Sequence, residues 1–339
     1  MSQKLMQSVL DGLKGTLIRS AVVRMQPQEA AETTARISQM FDHTMAGGKH
    51  QRSGLALNTF VALAPKASKT AIENAAKVVA TLEMLQSYFL VLDDIMDQSQ
   101  TRRGQPCWYT LPHVGLQACN DAVILESGIA KVIREAIPQH PQRDAILATM
   151  GETKFKTSLG QFLDGASNTI DHCKWDRYAQ IVEHKTSHYS FYTPLALGFH
   201  LADVDGYKNT IQPLAYQIGY LFQAQDDFLD VYGDEKVTGK KGTDIANGKC
   251  TWLACQTVEK LKEANDGRLE AFSANFGKPE PEKTAAAKKI LIEAEVDKDF
   301  VEFVNNTSAD LHDKIDGFGR QEVKPVLHSL VEALMGRKK

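Results

Sequence analysis

Two stretches of this 339-residue chain carry carboxylates at a spacing that can do chemistry. The first, Tyr88 to Tyr109, reads YFLVLDDIMDQSQTRRGQPCWY, so Asp93-Asp94-x-x-Asp97 is followed closely by Arg102-Arg103-Gly104. On a helix, positions four apart lie on one face. Asp93 therefore stacks on Asp97, with Asp94 rotated off that line. Carboxylates this close repel unless a cation sits between them. An all-oxygen donor set suits a hard ion, Mg²⁺ foremost, which keeps several waters and is shared between protein carboxylates and substrate phosphates. The paired arginines are permanently charged and fork-shaped, as phosphate oxygens require. The bland alternative for the stretch by itself is a solvated acidic helix end followed by a basic loop. The second stretch, Gln223 to Asp234, reads QAQDDFLDVYGD and repeats the spacing as Asp226-Asp227-x-x-Asp230, again after an apolar run, Ile218 to Phe222. A basic segment follows it too, GKKGTDIANGKCTW, with Lys240, Lys241 and Lys249. The repetition is what two facing helices around a metal–diphosphate cluster need.

The elements that must position these groups read as helices throughout. Leu82, Leu85, Phe89, Leu90 and Leu92 mark a largely buried helix over residues 71–97, ending in the first acidic cluster. Tyr88 and Phe89 lie five and four residues before Asp93, roughly 6–7.5 Å back along its axis. Residues 29–45 are helical until Gly47-Gly48 interrupts them, and GGKHQR then sets Lys49 and Arg52 three apart, a weak anion nest. Residues 1–25 have a helical apolar pattern with Lys4, Lys14, Arg19 and Arg24 against Asp11. That pattern fits a first packed helix, and a targeting presequence reads the same way. Residues 115–200 are helical segments broken at Pro138, Pro141 and between Asp171 and Trp175; Arg177 and Glu183 there read as surface charges. His184 and His188 stand four apart like a zinc helix, but Lys185 occupies the position of the expected glutamate. Residues 256–339 are amphipathic helices around a Lys/Pro/Glu-rich loop at 278–283. No strand alternation competes, so the expected fold is all-α.

Composition sets the outer bounds. A net charge of −3 argues against nucleic-acid binding, so an anionic ligand needs a local basic pocket. The five cysteines are odd in number, scattered and without a CxxC pair, which fits reduced thiols in a cytoplasmic setting. No apolar run is expected to span a bilayer.

The motifs GGKHQR, LVLDDIMDQSQTRRGQPCWY, GQFLD, HKTSHYSFYTPLAL, FQAQDDFLD and GKKGTDIANGKCTW together resemble the trans-isoprenyl diphosphate synthases, and within them the farnesyl diphosphate synthases. The likeness runs from about Gly47 to the C-terminus. It implies a single isoprenyl diphosphate synthase domain over 1–339, with 1–25 a variable N-terminal helix, built as a bundle of antiparallel helices around a central cavity. It also implies a homodimer. By resemblance, Asp93, Asp94, Asp97, Asp226 and Asp230 hold a trinuclear Mg²⁺ cluster, for which Mn²⁺ can substitute. Lys49, Arg52, Gln86 and Arg103 would hold isopentenyl diphosphate. Arg102, Lys185, Lys240 and Lys249 would surround an allylic diphosphate, with Thr186 and Gln223 beside the developing cation. Gln161 to Asp164 would support the metal cluster, and HKTSH would form a kink in a central helix. Tyr88 and Phe89 would form the floor that stops growth at farnesyl length. Leu92, where many members have Ala, leaves a geranyl diphosphate synthase as an alternative. Asn247-Gly248 departs from the family's usual pair and implies loop tuning. A terpene synthase of the same fold is the other alternative, although such a lyase would be expected to lose the isopentenyl-binding set. A non-catalytic subunit would be expected to lose the aspartates. The basic end Arg337-Lys338-Lys339 would fold over the isopentenyl site.

Overall fold

The structure, a computed structural model, describes residues 3–234 and 242–336. Among them, the regular structure is helical apart from a two-residue β-ribbon pairing Thr101–Arg102 with Gln105–Pro106. The contacts divide the chain into two compact units, Met1–Glu152 with Thr193–Lys208, and Thr153–Tyr192 with Asn209–Lys339.

The first unit contains α1 (Gln3–Val22), α2 (Pro27–Met45), α3 (Gln51–Leu63), α4 (Lys69–Met96), α5 (Ala118–Ala136) and α8 (Thr193–Leu201). Met6, Leu10, Leu13 and Leu17 recur at helical spacing and are buried where α1 packs on α2, α4 and α5, so the N-terminal pattern is that of a packed helix. Helix α4 starts at Ser68, whose Oγ accepts from the Ala71 N–H at 3.2 Å. Ala75, Ala76, Val78, Val79, Ala80, Leu82, Met84 and Leu85 are all buried, so this helix is enclosed on several sides. That corrects one expectation: α4 is long and apolar enough to cross a membrane, as the other helices are not among the described residues. Its most apolar window is 67% buried inside the protein, which accounts for the apolarity without a bilayer.

The second unit holds α6 (Arg143–Gly165) from Thr153 onward, α7 (Trp175–Ile181), and α9 (Lys208–Tyr232) except its first residue. Helices at Trp252–Glu263, Pro281–Glu293, Val296–Asp316 and Lys324–Met335 complete it. Its aromatic core includes Tyr178, Trp252 and Phe300, with Phe228 stacked on Phe300 at 4.3 Å between centroids. The expected kink appears as an 11-residue π-helical run, Val182–Tyr192, continuous with α7. Wide turns of this kind are rare and concentrate at functional sites. Two glycines permit it. A Cβ at Gly160 of α6 would lie 2.2 Å from the Lys185 nitrogen, and one at Gly219 of α9 would lie 2.5 Å from the Ser187 Cα. Both clashes are with backbone, so both neighbours approach the π-turns where only glycine fits.

Candidate active site

Both acidic motifs sit in the last turns of their helices, the first on α4 and the second on α9. Acids there face the negative end of the helix dipole, a costly place that cations relieve.

In the first unit, Asp94 is buried, Asp93 half-buried and Asp97 exposed. The ribbon turns at Arg103 and Gly104, both with positive φ, and its first strand sets Arg102 against the motif. Arg102 Nε donates to Asp94 Oδ1 at 2.9 Å and Nη2 to Asp93 Oδ2 at 3.2 Å. Burial opposes the guanidinium charge, but the bond to Asp94 and its charge prevail and raise the Arg102 pKa. The Cys107 thiol is pushed up to about 12 by burial and by Asp94. Arg102, expected around a diphosphate, is therefore tied here to the motif's own carboxylates.

The GGKHQR loop is shaped by a residue to which the sequence assigned no chemistry. His50 takes a left-handed φ of 51° at the start of α3, and its Nδ1 lies 3.1 Å from Glu83 Oε2. Ser53 Oγ donates to Glu83 Oε1 at 2.6 Å. Glu83 is a buried acid on α4; burial pushes its pKa up, and the His50 and Ser53 bonds outweigh that and hold it below the usual value. Arg103 lies against the same loop, with Nη1 donating to Ala46 O at 2.9 Å. The structure thus brings Arg103 to the loop that bears Lys49 and leads into Arg52 in the first turn of α3. Gln86 is three residues after Glu83 on α4, and so shares its face. Tyr88 and Phe89 form a tilted pair with centroids 4.9 Å apart.

In the second unit, Asp226 is half-buried and Asp227 buried. Asp227 accepts from the Tyr178 hydroxyl at 2.7 Å, the Trp252 N–H at 2.9 Å and Gln223 Nε2 at 2.9 Å. Burial nevertheless raises its pKa to about 7. Asp230 accepts from the N–H groups of Thr243 and Asp244 at 3.2 and 3.0 Å, anchoring the returning segment. Gly248, in the departing pair Asn247-Gly248, has φ of 66° and ends the short helix there. Thr186 Oγ1 donates to Gln223 Oε1 at 2.6 Å. Lys185 and Lys249 converge on Asp164 Oδ2 at 2.6 and 2.7 Å. Burial opposes ionisation of Asp164, and the two lysines hold its pKa below the usual value. Lys240 lies outside the described residues, as do Lys241 and Arg337-Lys338-Lys339.

Arg177, read as a surface charge, is instead a brace. It donates to Ser167 Oγ at 2.9 Å and Leu163 O at 3.2 Å, closing the end of α6 that carries Asp164. His184 and His188 do not act as a pair: Nδ1 of His184 lies 2.8 Å from Gln180 O, that of His188 2.8 Å from the Tyr216 hydroxyl. Among the described residues, no group of three or more His, Cys, Asp or Glu side chains stands ready to hold a metal by itself. The sequence missed the roles of Glu83, Asp227 and Tyr178. Glu83 carried a signal, a lone acid in an apolar run, since buried charge needs partners.

A family model described as polyprenyl synthetase matches residues 34–292. The farnesyl pyrophosphate synthase of Rattus norvegicus is 36% identical over 284 residues, covering 81% of this chain and 80% of that protein. Farnesyl pyrophosphate synthase 1 of Cannabis sativa is 34% identical over 313 residues, covering 89% of this chain and 90% of that protein. Among solved structures, T. brucei farnesyl diphosphate synthase complexed with risedronate is similar with a TM-score of 0.87 and 28% identity. That match covers 100% of this chain and 99% of that chain. The chain is a prenyltransferase and belongs to the polyprenyl synthetase family.

Proposed function

We propose that this protein is a farnesyl diphosphate synthase, joining isopentenyl diphosphate head-to-tail first to dimethylallyl and then to geranyl diphosphate. The observation that carries this reading over a lyase is Arg103 lying on the loop that bears Lys49, just before Arg52 at the start of α3. A terpene synthase ionises an allylic diphosphate alone and has no use for a second diphosphate-binding set. Curated farnesyl pyrophosphate synthases at 32–36% identity point the same way.

The donor set fits Mg²⁺. Asp93 and Asp97 are carboxylates beside each other at a helix end, and Asp226 is half-buried at the other. Mg²⁺ takes only one or two carboxylates per ion when phosphates and water complete its shell, so no ready-made protein cage is needed. Asp93, Asp97 and Asp226 would be the ligands of a trinuclear cluster, with Mn²⁺ as a substitute. Asp94 and Asp230, the other two carboxylates of the expected set, also accept from Arg102 and the Thr243 N–H. Bound there, the metal supplies charge neutralisation of the departing diphosphate.

The chain's own groups do the rest. Lys185 and Lys249 present two ammonium groups held on Asp164, and Lys240 would join them. Lys49, Arg52, Gln86 and Arg103 orient isopentenyl diphosphate so that its double bond meets the allylic carbon. Thr186 and Gln223 set dipoles beside that carbon. The proton lost from the condensed intermediate passes to the leaving diphosphate. Water would have to be kept from the reacting carbon, since it would quench a carbocation, and Tyr88 with Phe89 would limit growth. Helix α6 exposes Phe155, Leu159 and Phe162 at spacings of four and three, an apolar stripe that supports a homodimer. The five cysteines are all free, which supports a cytoplasmic setting.

Purified protein incubated with Mg²⁺, isopentenyl diphosphate and dimethylallyl diphosphate should yield mainly farnesol after dephosphorylation and chromatography. Geraniol alone would keep the chemistry and show that half-buried Leu92 closes the pocket early.

A further inference from the structure

In the second unit an unbroken polar chain runs from a buried tyrosine to the threonine of the π-helical run. Tyr178, 1% exposed, donates its hydroxyl to Asp227 Oδ2, and the Trp252 N–H donates to the same oxygen. The other oxygen, Oδ1, accepts from Gln223 Nε2 at 2.9 Å. With its nitrogen committed to Asp227, Gln223 turns its carbonyl oxygen to Thr186, whose hydroxyl donates to it at 2.6 Å. A hydroxyl has one hydrogen and two lone pairs. Since the hydrogen of Thr186 goes to Gln223, only lone pairs remain to face anything else.

We propose that Tyr178 and Asp227 are positioning residues for prenyl transfer: by fixing which way the Gln223 amide faces, they fix the polarity of the Thr186 hydroxyl. The inference rests on the prenyl-transfer reading above. Thr186 then offers an oxygen lone pair, not a hydrogen, to the carbon on which positive charge develops. If Gln223 turned over, its NH₂ would face Thr186, the hydroxyl would have to accept, and its hydrogen would swing outward. The dipole would change sign where fixed dipoles matter most to the barrier. Stability alone is a poor reason for this arrangement, because apolar packing commonly serves as well as a buried charged network. Both carboxylate oxygens of Asp227 are already occupied by Tyr178, Trp252 and Gln223, so orientation is the task left to it. The backbone around Thr186 is held just as firmly, by the close approaches at Gly160 and Gly219.

The test is a double-mutant cycle on kcat, with KM for both substrates and melting temperature measured alongside. Tyr178→Phe keeps the buried ring and removes only the donor; Thr186→Val removes the dipole it is meant to orient. Losing one bond to a charged acceptor should lower kcat about tenfold, with KM for isopentenyl diphosphate unchanged. Because both variants act through one hydroxyl, the double variant should be no slower than Thr186→Val alone. Tyr220→Phe, on the ring packed edge-on against Tyr178 at 5.2 Å, should retain wild-type turnover. A second cycle with Asp227→Asn in place of Tyr178→Phe keeps the test valid if the tyrosine variant melts early, and should show the same non-additivity. Wild-type kcat in Tyr178→Phe, or effects that multiply in the double variants, overturns the positioning role. A wild-type protein without prenyl transfer overturns the underlying reading itself, and is told apart because the parent is then inactive.

Discussion

The two acidic motifs share one spacing and solve the same problem differently. Each buries its middle carboxylate, Asp94 and Asp227. Asp94 meets a full countercharge, the guanidinium of Arg102. Asp227 meets neutral donors, a tyrosine hydroxyl, a backbone N–H and a glutamine amide, and its pKa rises to about 7. Identical sequence patterns therefore need not carry identical electrostatics. What decides is the segment that returns over the motif, an arginine ribbon in one unit and the Trp252 helix start in the other.

The outer carboxylates should behave alike where the middle ones differ. Asp93→Ala and Asp226→Ala are each expected to lower kcat by at least about 10²-fold, the scale for removing a group that stabilises developing charge; steady-state kinetics with saturating Mg²⁺ would show it. If only one of them mattered, the symmetry of the two motifs would be broken. The middle positions should separate next. Arg102→Ala strands a buried carboxylate and should cost about 3 kcal/mol in urea unfolding. Asp227→Asn keeps shape and removes a charge that only neutral groups balance, and should shift stability by about 1 kcal/mol or less.

The pH dependence sharpens the contrast. The folded pKa of Asp227, about 7, lies above its unfolded value of 3.8, so between them the native state binds more protons. Relative to Asp227→Asn, the metal-free wild type should therefore lose stability as pH rises from about 4 to 7. Glu83 has the opposite sign. Its folded pKa is lowered, so its contribution is present above the unfolded value of 4.5 and is lost as pH falls through the folded value. A Glu83→Gln comparison in acid unfolding would reveal it. The smallest effect expected is at His50, which acts through Glu83: His50→Ala should raise KM for isopentenyl diphosphate a few-fold, or about 1 kcal/mol, with kcat retained.

Much of this was legible because helical periodicity and carboxylate spacing are local properties. Leu82, Leu85 and the aspartates that follow announce α4 and its chemistry from residues within a few turns. The partners of the middle aspartates were not legible. Tyr178 is 49 residues from Asp227 and Trp252 is 25 away, and nothing in their local sequence marks a donor for a carboxylate. Arg102 was visible beside the first motif, but its charge suits a phosphate and a carboxylate equally. Only geometry separates the two. Arg177 misled for a related reason, since an arginine on a short helix looks solvated until Leu163 and Ser167 are seen to receive it. The membrane-length apolarity of α4 likewise needed burial to interpret.

The most direct test of the central claim is diphosphate release from geranyl diphosphate, followed with and without isopentenyl diphosphate in the presence of Mg²⁺. Two diphosphate-binding sets that work together predict release that depends on isopentenyl diphosphate and matches farnesyl diphosphate formed one for one. Rapid release without isopentenyl diphosphate, yielding hydrocarbon or alcohol, would contradict the account and make the protein a lyase.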